Sequence, residues 1–185
     1  MKKLSALLLL SAGAFAANAQ TVGNWYGEAT YQMQTLEDTS DQQLGKFKTN
    51  SLSLTVGKVV ANNIAVEGFY NLPSTTDSRD YGANGTLSVK SKGGYGFAVR
   101  PFVNVTNEIE LFARVGRAHG KSAFSGIDSN GDAFSDSEKN TNNFYGFGAA
   151  YKLSPKVSVV ADYKKITGTE DSKVSLTGVG VRYNF

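Results

Sequence analysis

From Gly23 onward the apolar residues of this chain recur at every second position, and the pattern holds over most of the sequence. One parity collects Trp25, Gly27, Ala29, Tyr31 and Met33, then Leu52, Leu54 and Val56, then Ile64, Val66 and Tyr70. It continues through Val89, Ser91, Gly93, Tyr95, Phe97 and Val99, through Ile109, Leu111, Ala113 and Val115, and through Tyr145, Phe147 and Tyr151. The same parity ends with Val157, Val159 and Tyr163, then Val179, Val181, Tyr183 and Phe185. No charge interrupts these sets. The other parity holds Glu28, Glu67, Lys90, Lys92, Arg100, Glu110, Arg114, Asp162 and Arg182, among serines, threonines and glycines. A period of two places alternate side chains on opposite faces of an extended strand, so the chain is all-β with one greasy and one mixed-charge face. An apolar, aromatic-rich face free of charge suits hydrocarbon, and the charged face then lines a lumen. Slipping one strand by a residue would turn Arg114 toward lipid at a cost of about 2–4 kcal/mol near the midplane, which holds the register.

The alternation predicts eight strands, near residues 23–34, 47–58, 63–72, 85–101, 108–119, 142–153, 157–166 and 174–185. Three connections are short: Val59 to Asn62, Phe102 to Asn107 and Ser154 to Lys156. Long polar connections alternate with them, at Thr35 to Lys46, Pro73 to Asn84, Gly120 to Thr141 and Thr167 to Lys173. Tight turns alternating with long loops are the plan of hairpins that cross a membrane and return. The predicted architecture is an eight-stranded antiparallel up-and-down transmembrane β-barrel. Pro73, Pro101 and Pro155 are expected at loops or strand ends, where a missing N–H does least harm.

The N-terminus reads differently. Lys2 and Lys3 precede an apolar stretch from Leu4 to Phe15, and Ala17-Asn18-Ala19 follows. This is the layout of a secretory signal peptide, with residues 1–19 removed, cleavage after Ala19, and residues 20–185 from Gln20 forming the barrel. Without Lys2 and Lys3 the formal charge of +3 falls close to neutral, which speaks against nucleic acid as a partner. There is no cysteine, so stability must come from packing and backbone pairing. No stretch after residue 19 approaches the length of a helical span, so a membrane form has to be a closed barrel.

The last strand, Gly178-Val179-Gly180-Val181-Arg182-Tyr183-Asn184-Phe185, resembles the closing strand of outer-membrane barrel proteins. That resemblance implies recognition by the barrel-assembly machinery through Val179, Val181, Tyr183 and Phe185, after delivery by periplasmic chaperones. The run from Phe144 through Leu153 and Ser154-Pro155 to Asp162-Tyr163 is similar to strands six and seven of the OmpA-type transmembrane domain. The similarity reaches back through Glu67-Gly68-Phe69-Tyr70 and Glu110 to Gly116. It implies a salt-bridged network inside the barrel, with Glu67, Arg100, Arg114 and Asp162 at comparable inward sites and Glu28, Glu110 and Arg182 beside them. Two inward charges of that family fall here on Ala150 and Val160, so the network must be wired differently. The family's peptidoglycan-binding domain has no counterpart in this sequence, which is closer to the free-standing barrels of the OmpX kind. Expected partners are outer-membrane lipid and lipopolysaccharide, with a host or surface ligand reached through the loops.

Chemistry-bearing residues are few. His119 is the single histidine and Ser122 the nearest hydroxyl nucleophile, the minimum for a lipid-modifying barrel enzyme. A lone histidine near a strand end is more simply an ordinary polar residue, and the reading here is no enzyme, no metal and no cofactor. Asp128-Ser129-Asn130-Gly131-Asp132 begins like a calcium loop, but Ala133 and Lys139 stand where the turn glycine and the bidentate acid belong. Asn130-Gly131 reads better as a tight hairpin turn. Eight strands leave a lumen that side chains nearly fill, so its mixed charges are expected to pair as a plug, with a narrow pore as the alternative.

Overall fold

The computed structural model describes residues 22–38, 46–80, 85–127, 130–167 and 172–185. The signal-peptide positions Ala17, Ala19 and Gln20 lie outside them, as do Asp128 and Ser129. The strands are β1 (Trp25–Asp38), β2 (Lys46–Ala61), β3 (Ile64–Asn71), β4 (Thr76–Asp80), β5 (Thr86–Asn104), β6 (Ile109–Ile127), β7 (Ala133–Lys152), β8 (Val157–Thr167) and β9 (Ser172–Asn184).

Every neighbouring pair is antiparallel. The order β3-β2-β1-β9-β8-β7-β6-β5 closes on itself through pairing of β3 with β5, giving a ring of eight strands. Closure removes the unpaired edge that an open sheet would present to lipid. Tyr26 lies opposite Asn184, so the first and last strands meet at the rim that carries the short turns β2–β3, β5–β6 and β7–β8. The long hairpins rise from the other rim. The turn at Asn62-Asn63 uses a φ of +64° at Asn63, a conformation asparagine tolerates better than most residues.

The apolar parity faces outward. Trp25, Leu54, Val66, Phe97, Val115, Phe147 and Val181 are all exposed, as are Tyr31, Tyr145, Tyr151 and Phe185. In water such a continuous apolar ring would be far larger than the few hundred square ångströms a soluble monomer tolerates. In hydrocarbon it is the proper surface.

The structure corrects the sequence reading in four places. First, β6 runs to Ile127 and β7 begins at Ala133, so most of the expected loop from Gly120 to Thr141 is a paired hairpin. Apart from a few residues such as Phe124, Ile127 and Phe134 it is polar and lacks the regular apolar alternation, because it stands clear of the apolar band, yet the backbone ladder continues. Gly131, φ +86°, lies in its turn. Second, part of the expected loop after Pro73 is β4, which continues β3 along β5 after a break at Leu72–Thr75. Third, Pro101 lies inside β5, opposite Ile64, where β5–β6 pairing skips from Val99 to Phe102. Fourth, a bulge sits between Ser91 and Gly94, with Gly93 at φ +97°. An extra residue reverses the parity beyond it. Val89 and Ser91 therefore turn inward and Lys90 outward, while Lys92 is exposed on the bulge itself.

Inward rings are received by inward glycines. A Cβ at Gly57 would fall on the Tyr26 ring, one at Gly148 on Phe112, and one at Gly96 on Phe69. Tyr26, Val59, Ala65, Phe102, Phe112, Ala150 and Val160 form a small buried cluster inside the barrel, on the side of the short turns.

Candidate functional site: an ionic network in the lumen

Strand alternation brings Glu28 of β1, Glu67 of β3, Arg100 of β5, Glu110 and Arg114 of β6, Asp162 of β8 and Arg182 of β9 into the lumen, where all are buried. Arg100 is 0 % exposed, and Glu110 and Arg182 are 1 % exposed.

Arg114 is the hub. Its Nε donates to Glu67 Oε2 at 2.7 Å, its Nη2 donates to both Glu28 oxygens at 2.9 and 3.0 Å, and its Nη1 donates to Asp162 Oδ2. Arg182 joins two acids, with Nη2 donating to Glu28 Oε2 at 3.1 Å and Nη1 to Glu110 Oε1 at 2.7 Å. Arg100 Nη2 donates to Glu110 Oε1, and its Nε stands 3.6 Å from Glu67 Oε1. A flat guanidinium presents five donors in a fixed fork, enough to serve three carboxylates at once.

Several partners were not identified from the sequence. The Tyr26 hydroxyl donates to Glu67 Oε1 at 2.7 Å, and the Thr30 hydroxyl donates to Glu28 Oε1 at 3.1 Å. Lys164 Nζ lies 3.1 Å from Asp162 Oδ2. With Lys164 included, four carboxylates meet four cations, so the cluster is neutral as a whole. Phe112 lies beneath three guanidinium groups, 4.2 Å from Arg100, 4.6 Å from Arg114 and 5.6 Å from Arg182, and Tyr26 lies 5.0 Å from Arg182. Ring faces stabilise cations that have been taken out of water. Ala150 and Val160 are buried in the apolar cluster, where the phenyl rings occupy the space. The signal that could have revealed Tyr26, Phe69 and Phe112 is their inward parity opposite glycines.

Beyond the network Phe69 and Phe144 meet edge to face with centroids 5.6 Å apart. Outside them a cavity of about 290 Å³ is lined by Phe47, Val89, Phe124, Ile166 and Leu176 among Thr49, Ser122, Glu138 and Asn142. It belongs to the half of the lumen nearest the long hairpins.

His119 is exposed, packs edge to face on Tyr95 with centroids 5.3 Å apart, and shares a hydrogen bond with Thr141 Oγ1 through Nδ1. Ser122, three residues along β6, falls on the opposite parity and lines the cavity. The two side chains lie on different faces of one strand. Val179, Val181, Tyr183 and Phe185 are exposed on the outer surface of β9 and its end, with Tyr183 and Phe185 rings 5.4 Å apart.

Comparison with known proteins gives a family and a set of folds. The family model described as the outer membrane protein beta-barrel domain matches residues 4–185. No curated protein matches the chain significantly. Among solved structures, the attachment invasion locus protein Ail of Yersinia pestis superposes with a TM-score of 0.64 at 19 % identity, covering 89 % of this chain and 100 % of Ail. Ail in complex with the heparin analogue sucrose octasulfate gives a TM-score of 0.61 at 18 % identity, covering 89 % of this chain and 100 % of that one. Neisserial surface protein A gives 0.60 at 15 % identity, covering 87 % of this chain and 97 % of that one.

Proposed function

The chain belongs to the outer membrane protein beta-barrel domain family, and from that premise we propose that it is a plugged barrel: it reinforces the outer membrane and presents its long hairpins outside the cell. One observation carries the reading. The lumen is crossed by interlocked charges whose hydrogen bonds tie β1, β3, β5, β6, β8 and β9 together. A conduction path would have to pass through Arg114 while it holds three carboxylates. Opening that path would leave charges uncompensated in a low-dielectric lumen, so thermal opening is rare.

In this reading residues 1–19 direct export and are removed after Ala19, and the outward Val179, Val181, Tyr183 and Phe185 present the assembly signal. Lipid and lipopolysaccharide surround the apolar ring. The exposed hairpins, above all β6–β7, are the part available to a host or surface ligand. The complex of Ail with a heparin analogue supports a search among anionic saccharides. Enzymatic use of His119 is disfavoured by the placement of Ser122 on the other face of β6.

Purified chain in a planar bilayer is expected to stay silent apart from brief, small openings, and to migrate faster on a gel before heating than after. Steady conductance from the unaltered protein would replace the plug with the alternative of a narrow pore.

A further inference from the structure

Lumenal positions of a membrane barrel are ordinarily polar, yet on the side of the long hairpins this lumen turns apolar. Phe47, Val89, Phe124, Ile166 and Leu176 line the cavity of about 290 Å³ that lies there. The bulge at Gly93 contributes directly, because it turns Val89 inward in place of Lys90. Toward the short turns the cavity gives way to the crossed rings of Phe69 and Phe144, with the ionic network behind them. An apolar cavity of roughly 150 Å³ takes up benzene, so this one has room for a body of about two fused rings. Covering its walls removes apolar surface from water, which favours such an occupant.

The inner end of the cavity is polar. A recess of about 30 Å³ adjoins it there and shares Asn71, Ala118, Ile166 and Leu176 with it. Gln32, 1 % exposed, lines this recess together with Asn71 and Lys164. Among the described residues, neither Gln32 Oε1 nor Asn71 Oδ1 has a hydrogen-bond partner. A buried acceptor left unpaired is costly, so both oxygens favour an incoming donor. Lys164 is of the opposite kind, an ammonium with three hydrogens whose Nζ lies 3.1 Å from Asp162 Oδ2. These neighbours discriminate among head groups. A carboxylate would set its oxygens against two amide oxygens, and a cation would meet Lys164. A hydroxyl gives one hydrogen and takes another, so it donates to an amide oxygen while accepting from Lys164. The recess has room for it, since about 10–15 Å³ already holds a water-sized group.

We propose that this half of the lumen is a binding site for a small neutral alcohol or phenol, its apolar body between Phe47, Val89, Phe124 and Leu176 and its hydroxyl in the recess of Gln32, Asn71 and Lys164. The network behind Phe69 and Phe144 makes the site a dead end, so the ligand is held and does not cross. Only the side of entry rests on the long hairpins lying outside the cell. The site itself depends on the lumen alone.

The full-length mature chain is folded into phosphatidylcholine vesicles and dialysed to equilibrium against beta-naphthol, its methyl ether or beta-naphthoate, with protein-free vesicles of the same lipid as the blank. Saturable uptake of one beta-naphthol per chain is expected above the blank. The ether keeps the rings and the oxygen but has no hydrogen to donate, and it should bind about ten- to a hundredfold more weakly, as should the naphthoate. The double variant Gln32→Leu, Asn71→Leu should bring beta-naphthol down to the level of the ether while leaving the ether unchanged, a loss of discrimination that a merely structural role would not produce. Leu176→Phe, which fills the cavity, should weaken both. Uptake of beta-naphthol no greater than the blank, equal affinity for beta-naphthol and its ether, or undiminished discrimination by the double variant overturns the proposal. Where a variant does not fold, the ligand series on the unaltered chain decides alone. A chain that folds in no vesicle overturns the barrel reading together with this inference, and the heat-dependent gel shift separates that outcome from the others.

Discussion

The two halves of the lumen are built on opposite principles. On the side of the short turns, rings seat against glycines and every carboxylate meets at least one cation. On the side of the long hairpins, Phe47, Val89, Phe124 and Leu176 line an open cavity of about 290 Å³ among hydroxyl and amide groups. The first half resists change because Arg114, Arg182 and Glu28 each hold more than one partner. The second half makes few such commitments, so its residues can vary with little loss. This barrel, whose buried apolar cluster is small, thus gains cohesion from one dense layer on the side of the short turns.

The sharpest way to break that contrast is to remove the hub. Arg114→Met leaves Glu28, Glu67 and Asp162 facing one another without their shared cation, and should destabilise the barrel by about 3–5 kcal/mol. Urea unfolding in vesicles, followed by the single Trp25, measures this, and the same variant should give frequent openings in a planar bilayer. A loss below about 1 kcal/mol would show that the network is not the dense layer described. Overpacking comes next. Gly57→Val drives a side chain into the Tyr26 ring and should cost about 1–3 kcal/mol in the same titration, with Tyr26→Ala restoring part of it in the double variant.

Removing the outermost member of the network is expected to be milder. Lys164→Met deletes one of the two cations on Asp162 but leaves Arg114 in place, so a cost of about 1 kcal/mol is expected, together with a somewhat higher opening frequency. The smallest effect should come from the open half. Ser122→Ala is expected to shift unfolding by less than about 0.5 kcal/mol and to leave conductance unchanged. A large effect there would show that both halves are equally committed.

Much of this was legible beforehand, and the exceptions have a common physical origin. Alternation located the outward ring because hydrocarbon rejects charge at every position it touches. The same rule put Glu28, Arg114 and Asp162 on the inner face. It misplaced Val89, Lys90 and Lys92, because a bulge at Gly93 inserts one residue and reverses parity beyond it; glycine allows the bulge, but glycines recur along these strands and the sequence does not say which one carries it. Strand length was underread in β6 and β7, since a hairpin standing in water needs only backbone hydrogen bonds and carries no apolar stripe. Lys164 and Tyr26 lay at inward parity all along, but nothing in the linear pattern tells which acid a given cation will reach.

Periodicity, charge placement and alternating connection lengths were therefore enough to determine that this polypeptide is an eight-stranded barrel with lipid outside and ionised groups within. Each of these depends on which solvent a side chain meets, and that is written residue by residue. The wiring of the network and the glycine seats for the rings were decided only by closure of the ring. Closure sets the stagger between strands distant in sequence, such as β1 with β9 and β3 with β5, and that stagger alone determines which side chains share a level.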